Sequence, residues 1–563
     1  MSAANSTQRL PESIRAGAVR WRFAPQATQA GYRGDLPVPS WLASGAAHIV
    51  KSGAHRVVYR VDLPDSPIYL KHDRGVAWWH RWFGWLRTSP SRREWVKAQE
   101  IARRNVPTIT AVAYGQVVAG PAAGESFFIS QAIQQARALD EFIACELPAL
   151  ELAAQARTRR QLVDRLAHLL AQVHRAGIDH DDLHIGNLLA RVENGNIQLH
   201  LIDVPNVRIG RPLGWRRSQA SLVMLASSFR YLATRAEKWR FWRMYLAGRP
   251  EFAQQDRRAA FRQMQSRLQR YLASVYRSRD KRALASNRDY IRQRAAGVRA
   301  HAVQGVGAAQ LQRLAGDPHS LIATNLHKPI KLARSSWLVE GELEIDGRPV
   351  AVGYKRHQPV TWRRKLASRF VETRARRAWR AGHALLARGI ATPRPLLMCE
   401  TSNRVSYLAT EWIVGAINLH HYCWELSTLS PIARRQAVRA AAATLGALIG
   451  ELHLWGFVHR DLKASNIIVA PQDSDFRAYL VDLDGLRQPW RFTERLVVRN
   501  LARLAVSFDG YAWIGRAAAL EFLRCYLRAT RRPQADLPRI WRATNKAAER
   551  LRRRMRRRGR IAL

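Results

Sequence analysis

The chain has 563 residues, 47% of them apolar and 24% charged, a globular composition that excludes a disordered chain and leaves room for two to four domains. Lysine and arginine number 92 against 43 aspartates and glutamates, a net charge of +49, so the surface favours polyanions: an anionic membrane face, a phosphorylated glycolipid or, less favoured for want of a recognised module, nucleic acid. The four cysteines form no CxxC pair, Met1 to Gly17 lacks an apolar core, and no run of about 18 apolar residues occurs; zinc sites, disulfides, a secretory signal and a spanning helix are not expected.

Residues 1–40 read as an N-terminal extension. Strands are predicted between Ala47 and Lys71, with Val57-Val-Tyr-Arg-Val the clearest β-branched and aromatic run. The next segment, Arg74 to Arg87, mixes Trp78, Trp79, Trp82 and Trp85 with arginines, as in segments that lie in a membrane interface. Packing beneath a small lobe is the plainer reading of those tryptophans. A helix from Arg92 to Arg104 stops at Asn105-Val-Pro, and an apolar-periodic helix spans Arg159 to His174. It leads into His180-Asp-Asp-Leu-His-Ile-Gly-Asn187, then an apolar strand ending at Asp203, then basic helices. Residues 277–316 read as a linker. The plan then recurs: strands ending at Lys355 around the turn Asp346-Gly-Arg, a helix from Arg374 to Arg388, a helix from Ala433 to His453, the loop His459-Arg-Asp-Leu-Lys-Ala-Ser-Asn466, and Asp482. The most apolar stretch, Ala440 to Gly450, reads as a buried helix. Residues 549–563, an arginine run, read as a solvated tail.

Each second-copy motif follows its counterpart by 279 residues: His180 and His459, Asp203 and Asp482, Ser221–Phe229 and Asn500–Phe508. A period this long is a duplicated domain rather than a solenoid. The two copies are placed at 41–276 and 317–548.

The repeated set suits phosphoryl transfer, which needs positioning and charge neutralisation more than covalent chemistry. Asp182 and Asp461 are placed to orient an acceptor hydroxyl. Asn187 and Asn466, with Asp203 and Asp482, offer hard oxygen ligands to magnesium. Lys71 and Lys355, each at a strand end, can hold the α- and β-phosphates of ATP, and Glu94 on the following helix can pin Lys71. Asp484-Gly485 tempts as the metal motif, but its first-copy counterpart is Pro205.

The helices Arg92-Arg-Glu-Trp-Val-Lys-Ala-Gln-Glu-Ile-Ala-Arg-Arg-Asn-Val-Pro and Arg374-Ala-Arg-Arg-Ala-Trp-Arg-Ala-Gly-His-Ala-Leu-Leu-Ala-Arg-Gly-Ile-Ala-Thr-Pro393 resemble the lipopolysaccharide kinase family. So do the two loops and the segments Asp203-Val-Pro-Asn-Val-Arg208 and Asp482-Leu-Asp-Gly-Leu-Arg487. The resemblance implies an α+β chain of two tandem protein-kinase-like bilobal domains, each with a small β-rich N-lobe and a helical C-lobe. It also implies ATP, Mg2+ and a sugar hydroxyl acceptor at the cytoplasmic face of the inner membrane, with the protein peripherally bound. The chain departs from the family pattern at Ala378, where a glutamate would face Lys355, at Asp181, where copy two has Arg460, and in lacking a glycine-rich phosphate loop. A kinase of a protein or small molecule, and a membrane-bound pseudokinase scaffold with at most one active copy, are the competing readings.

Overall fold

Arginines alternate with large apolar residues in Val19-Arg-Trp-Arg-Phe23, and the period of two buries Trp21 and Phe23 while the arginines face outward. That pattern opens the first sheet in the computed structural model, which describes residues 13–24, 38–53, 55–63, 67–74, 89–230, 232–326, 329–358, 372–472 and 475–557. Trp78, Trp79, Trp82 and Trp85 of the tryptophan-rich segment fall on 75–88, outside the described residues. The chain divides into two units, Met1–Leu272 and Ala273–Leu563.

In the first unit, β1 (Ser13–Ala16), β2 (Val19–Phe23), β3 (Ala47–Ser52), β4 (Arg56–Val61), β5 (Ile68–Asp73), β6 (Ala111–Val117) and β7 (Ser126–Gln131) form one sheet of order β1-β2-β6-β7-β5-β4-β3. In the second, β8 (Tyr290–Ala295), β9 (Val298–Val303), β10 (Pro329–Ala333), β11 (Ser336–Ile345), β12 (Arg348–His357), β13 (Pro395–Glu400) and β14 (Ser406–Glu411) repeat that order as β8-β9-β13-β14-β12-β11-β10. Lys71 on β5 stands opposite Val58 and Phe128, and Lys355 on β12 opposite Leu338 and Leu408, the same position in each sheet.

Helix α1 (Pro90–Arg103) packs on the first sheet, with Ser89 capping its N-terminus and Asn105, at φ 56°, turning the chain out of it. The helical lobe follows: α2 (Leu152–Arg175), α3 (Trp215–Ser228), α4 (Arg235–Ala247) and α5 (Arg257–Arg282), the last ending within the second unit. The second unit repeats this with α6 (Arg374–Ala387), capped by Thr373, then α7 (Pro431–Leu454), α8 (Glu494–Val506), α9 (Arg516–Ala529) and α10 (Leu537–Arg557). The two units are therefore bilobal and kinase-like.

Among the described residues one helix, α7, is long and apolar enough to cross a membrane. Val438, Leu445 and Ile449 are buried, and two glycines let it meet α9 backbone to backbone. A Cβ on Gly446 would lie 2.4 Å from the Phe522 carbonyl oxygen, and one on Gly450 would lie 2.5 Å from the Ala529 Cβ. In the first unit the small partners trade places: Ala171 sits on α2, and a Cβ on Gly248, just past α4, would lie 2.7 Å from the Ala171 Cβ.

Three boundaries differ from the sequence reading. Residues within 1–40 are not an extension alone, because β1 and β2 complete the first sheet. Residues 277–316 are not a linker: β8 and β9 form the matching hairpin, turned by Ala296 and Gly297 at positive φ, and Ala308–Gly316 is a helix. The end of α5 packs here too, with Asp280 paired to buried Arg388 at 2.9 Å and Trp379 Nε1 donating to the Ala283 carbonyl. The run 549–557 is not a loose tail but the last turns of α10. Ala548, Leu551 and Met555 at helical spacing pack on Ala502 and Val506, and Arg552 binds Asp509 through two contacts of 2.8 Å. In all three, a high density of arginine masks a regular apolar period.

Candidate active site

Each unit carries the same scaffold around its His-x-Asp loop. The loop histidine closes a short strand pair, Ile178–His180 with Val207–Ile209 and Val458–His459 with Leu486–Arg487. Its Nδ1 accepts from the aspartate backbone N–H, at 3.1 Å for Asp182 and 3.2 Å for Asp461. The Nε2–H donates to the Ile202 carbonyl at 3.4 Å and to the Asp482 carbonyl at 3.1 Å. One acceptor and one donor nitrogen fix a neutral tautomer, and burial lowers the pKa of both His180 and His459. The ring thus acts as a strut between the aspartate-bearing loop and the end of the following strand.

The asparagine five residues on completes the loop. Asn187 Nδ2 donates to the Asp182 carbonyl and Asn466 Nδ2 to the Asp461 carbonyl, each at 2.8 Å. With the amide nitrogen so engaged, the amide oxygen is the atom left for a metal. The backbone carbonyls of Asn187 and Asn466 accept from Ile202 and Val481, tying the loop to the strand that ends in Asp203 or Asp482. Both of those aspartates adopt left-handed backbone, φ 56° and 59°. A non-glycine residue pays about 1–2 kcal/mol for that conformation, which places the strained position at the same point of both units.

The lysines differ. In the first unit Lys71 Nζ lies 2.5 Å from Glu94 and 3.7 Å from Asp203. Glu94 is fully buried and also binds Arg56 at 3.2 Å; Arg56 in turn binds Asp73 at 2.5 Å and reaches Asp203 at 4.0 Å. In the second unit Ala378 occupies the glutamate's position on α6, and Lys355 Nζ bonds Asp482 directly at 2.7 Å. Burial pushes the Asp482 carboxyl up, but the charge and hydrogen bond of Lys355, with Arg374 beyond, hold it well below the usual carboxylate range. Arg374 also binds Asp484. His357 replaces Asp73 beside Lys355, and burial holds it neutral.

A cavity of about 560 Å³ opens in the second unit between sheet and helical lobe. Leu338, Leu408 and Ile468 give it an apolar wall, while Lys355, Asn466 and Asp482 stand at one end. An apolar slot with a polar end matches the base and phosphates of a nucleotide. Among the described residues no cluster of three or more metal-ligating His, Cys, Asp or Glu side chains occurs. An asparagine oxygen and one carboxylate suit magnesium, which takes its remaining ligands from phosphate and water.

Two residues absent from the sequence-based site belong to it. Arg56 links Glu94, Asp73 and Asp203. Asn500 on α8 accepts from the His459 N–H at 2.9 Å and donates to the His459 carbonyl at 3.1 Å, pinning the loop to the helical lobe. Its first-unit counterpart, Ser221, bonds His174 at 2.9 Å, as Asn500 does the matching His453 at 3.4 Å, but among the described residues it makes no bond to the loop backbone. Buried polar residues at matching positions of the repeat are the signal that marks this pair.

The profile of the lipopolysaccharide kinase (Kdo/WaaP) family matches residues 51–245 and 350–526. The lipopolysaccharide core heptose(I) kinase WaaP of Pseudomonas aeruginosa is 26% identical over 200 residues, covering 34% of this chain and 73% of that protein. The enzyme of the same name from Escherichia coli is 26% identical over 163 residues, 28% of this chain and 59% of the relative. Among solved structures, WaaP in complex with acyl carrier protein aligns with 45% of this chain and 98% of its own, at 22% identity and a TM-score of 0.33.

Proposed function

Because the chain belongs to the lipopolysaccharide kinase (Kdo/WaaP) family and is a phosphotransferase with a hydroxyl acceptor, we propose that it uses ATP and Mg2+ to phosphorylate a sugar hydroxyl of a lipopolysaccharide-type glycolipid at the cytoplasmic membrane face. The observation that carries this reading is the doubled constellation: an aspartate on a histidine-braced loop, an asparagine five residues on, and a left-handed aspartate within reach of a strand lysine. In this scheme Asp182 and Asp461 orient the acceptor hydroxyl. Asn187 with Asp203, and Asn466 with Asp482, would hold Mg2+, which would supply positive charge to the transferred phosphate. Lys71 and Lys355 steady the nucleotide, and Glu94 positions Lys71. The test is calorimetry of ATP binding with and without Mg2+, followed by transfer of labelled γ-phosphate into a cell-envelope extract. Magnesium-dependent binding and label in the glycolipid fraction are expected. A folded protein that binds no nucleotide would remove the enzyme reading, and label confined to protein or small molecules would move the acceptor class.

A further inference from the structure

The arginines beside the catalytic loop are paired with carboxylates in the first unit and, among the described residues, not in the second. In the first unit the residue before the catalytic aspartate is Asp181, bonded to Arg208, and Asp179 is bonded to Arg217. In the second unit the matching position is Arg460. Arg487 takes the place of Arg208 on the strand paired with Val458-His459, but faces no Asp181. Arg499 and Arg503 on α8 take the places of Ala220 and Met224.

Helix α8 is locked against the loop at both ends of this stretch. Asn500 bonds the His459 backbone, and Ser507 Oγ accepts from the Ala464 N–H at 3.1 Å. Arg503 lies between those two anchors, beside residues 460–463. The first unit confirms the position, since Met224 Sδ there receives the Leu183 N–H, one residue from Asp182. Half-buried Arg503 feels burial first, then the repulsion of Arg499, Arg460 and Arg487, relieved only by Asp461, and its pKa is lowered. Among the described residues none of the four arginines forms an ion pair with a carboxylate. Lys463, 3.2 Å from Asp461, adds a fifth cation where the first unit has His184.

Four uncompensated guanidinium groups beside one catalytic carboxylate form a receptor for a compact polyanion, and arginine's planar fork matches phosphate. Their placement around Asp461, rather than around Lys355, puts them on the acceptor's side. We infer that the second unit acts on an acceptor that already carries a phosphate monoester, held by Arg460, Arg487, Arg499 and Arg503 while Asp461 orients a second hydroxyl. This rests on the kinase reading above. In the step, the acceptor oxygen bonds to the γ-phosphorus of ATP as the bond to the β–γ bridging oxygen breaks. ADP leaves, and the hydroxyl proton passes to Asp461 and on to solvent. A prior phosphorylation of the same acceptor must supply the substrate, and the first unit, where Asp181, Ala220 and Met224 replace three of the arginines and Arg208 is bonded to Asp181, is suited to an acceptor without that phosphate.

The test uses full-length protein with one unit silenced at a time, Asp182→Asn or Asp461→Asn. Envelope glycolipid extract is divided, and one half is stripped of phosphate monoesters by phosphatase. The Asp182→Asn chain is expected to place at least ten-fold less label on stripped than on intact glycolipid. The Asp461→Asn chain should label the stripped half at least as well as the intact one. Adding Arg499→Gln and Arg503→Gln to Asp182→Asn should bring labelling of intact glycolipid down to the stripped level, and exposed Arg460→Gln provides a second variant should the helix changes disturb folding. Equal labelling of both halves by the Asp182→Asn chain, or a preference that survives the arginine changes, overturns the inference and leaves the kinase reading intact. No label from either folded, singly silenced chain overturns both.

Discussion

At the scale of single residues, the two lysines set the copies apart. Lys71 has its own carboxylate in buried Glu94 and stands 3.7 Å from Asp203, the group proposed to bind Mg2+ there; Lys355 bonds its counterpart Asp482 directly at 2.7 Å. A misplaced lysine is costly, because small positional errors lower transfer rates sharply. Asp182→Asn is therefore expected to remove most turnover and Asp461→Asn less, with circular dichroism confirming that both fold. Ala378→Glu should draw Lys355 off Asp482 and raise second-unit turnover several-fold, measured in the Asp182→Asn background; no change would mean that the missing glutamate is not the limit. The sequence made the lysine positions and Ala378 legible through the repeat. It did not make legible that Asp482 fills the gap, since that contact joins residues 127 apart. Two buried histidines give a pH prediction. Burial, with Arg249 nearby, pushes His174 down to about 3, and burial pushes His453 down to about 4. Both stay neutral when folded, whereas the unfolded chain takes up protons below about 6.5. Stability should thus fall as pH drops from about 6.5 towards 4, by roughly 2 kcal/mol per histidine at pH 5. Urea titrations across that range check the sign, and His453→Gln should flatten the dependence.

At the scale of elements, helix α8 does more than fill the helical lobe. Asn500 satisfies both backbone groups of His459 and approaches His453 Nε2 at 3.4 Å. Asn500→Ala would leave those buried groups unpaired, at a cost of about 1–3 kcal/mol, and loosen the loop that carries Asp461. Second-unit turnover should fall while first-unit turnover holds, which the two Asp→Asn backgrounds can separate. Asn500→Asp, which keeps the acceptor but not the donor, should lie between. Helices with clear stops, such as α1 at Asn105 and α6 at Gly389, were readable because cap residues and apolar period agreed. The hairpins β1–β2 and β8–β9 were not, because arginines alternating with apolar residues look like surface when the period of two is short. The last turns of α10 were hidden the same way, with Leu551 and Met555 spaced among arginines.

At the scale of the whole molecule, the charge of +49 and the interfacial character of the proposed acceptor predict a protein held to anionic membranes mainly by Coulomb attraction. Binding to anionic vesicles should be strong at low salt and largely released near 0.5 M salt, where the Debye length falls to roughly 4 Å; indifference to vesicles at low salt would contradict the peripheral assignment. The duplication itself was the most legible feature, because a fixed offset across unrelated motifs survives divergence that blurs each motif alone. What the offset could not convey is how the halves stay distinct. The Gly450–Ala529 contact and its reversal as Ala171–Gly248 keep one methyl group between the paired helices in each unit, contributed from opposite sides. Recombination between the two halves of a tandem gene would unite helices from different copies. A hybrid with α2 against α9 would set Ala171 against Ala529, methyl on methyl, an overpacking of about 1–3 kcal/mol. The reciprocal hybrid would set Gly450 against Gly248 and leave a methyl-sized void, worth about 1 kcal/mol. Gly450→Ala should destabilise the second unit and Ala529→Gly should rescue it in the double variant, the coupling read by denaturation. If it does, a single transposed methyl acts as a genetic incompatibility inside one chain, penalising collapse of the tandem into a single hybrid copy.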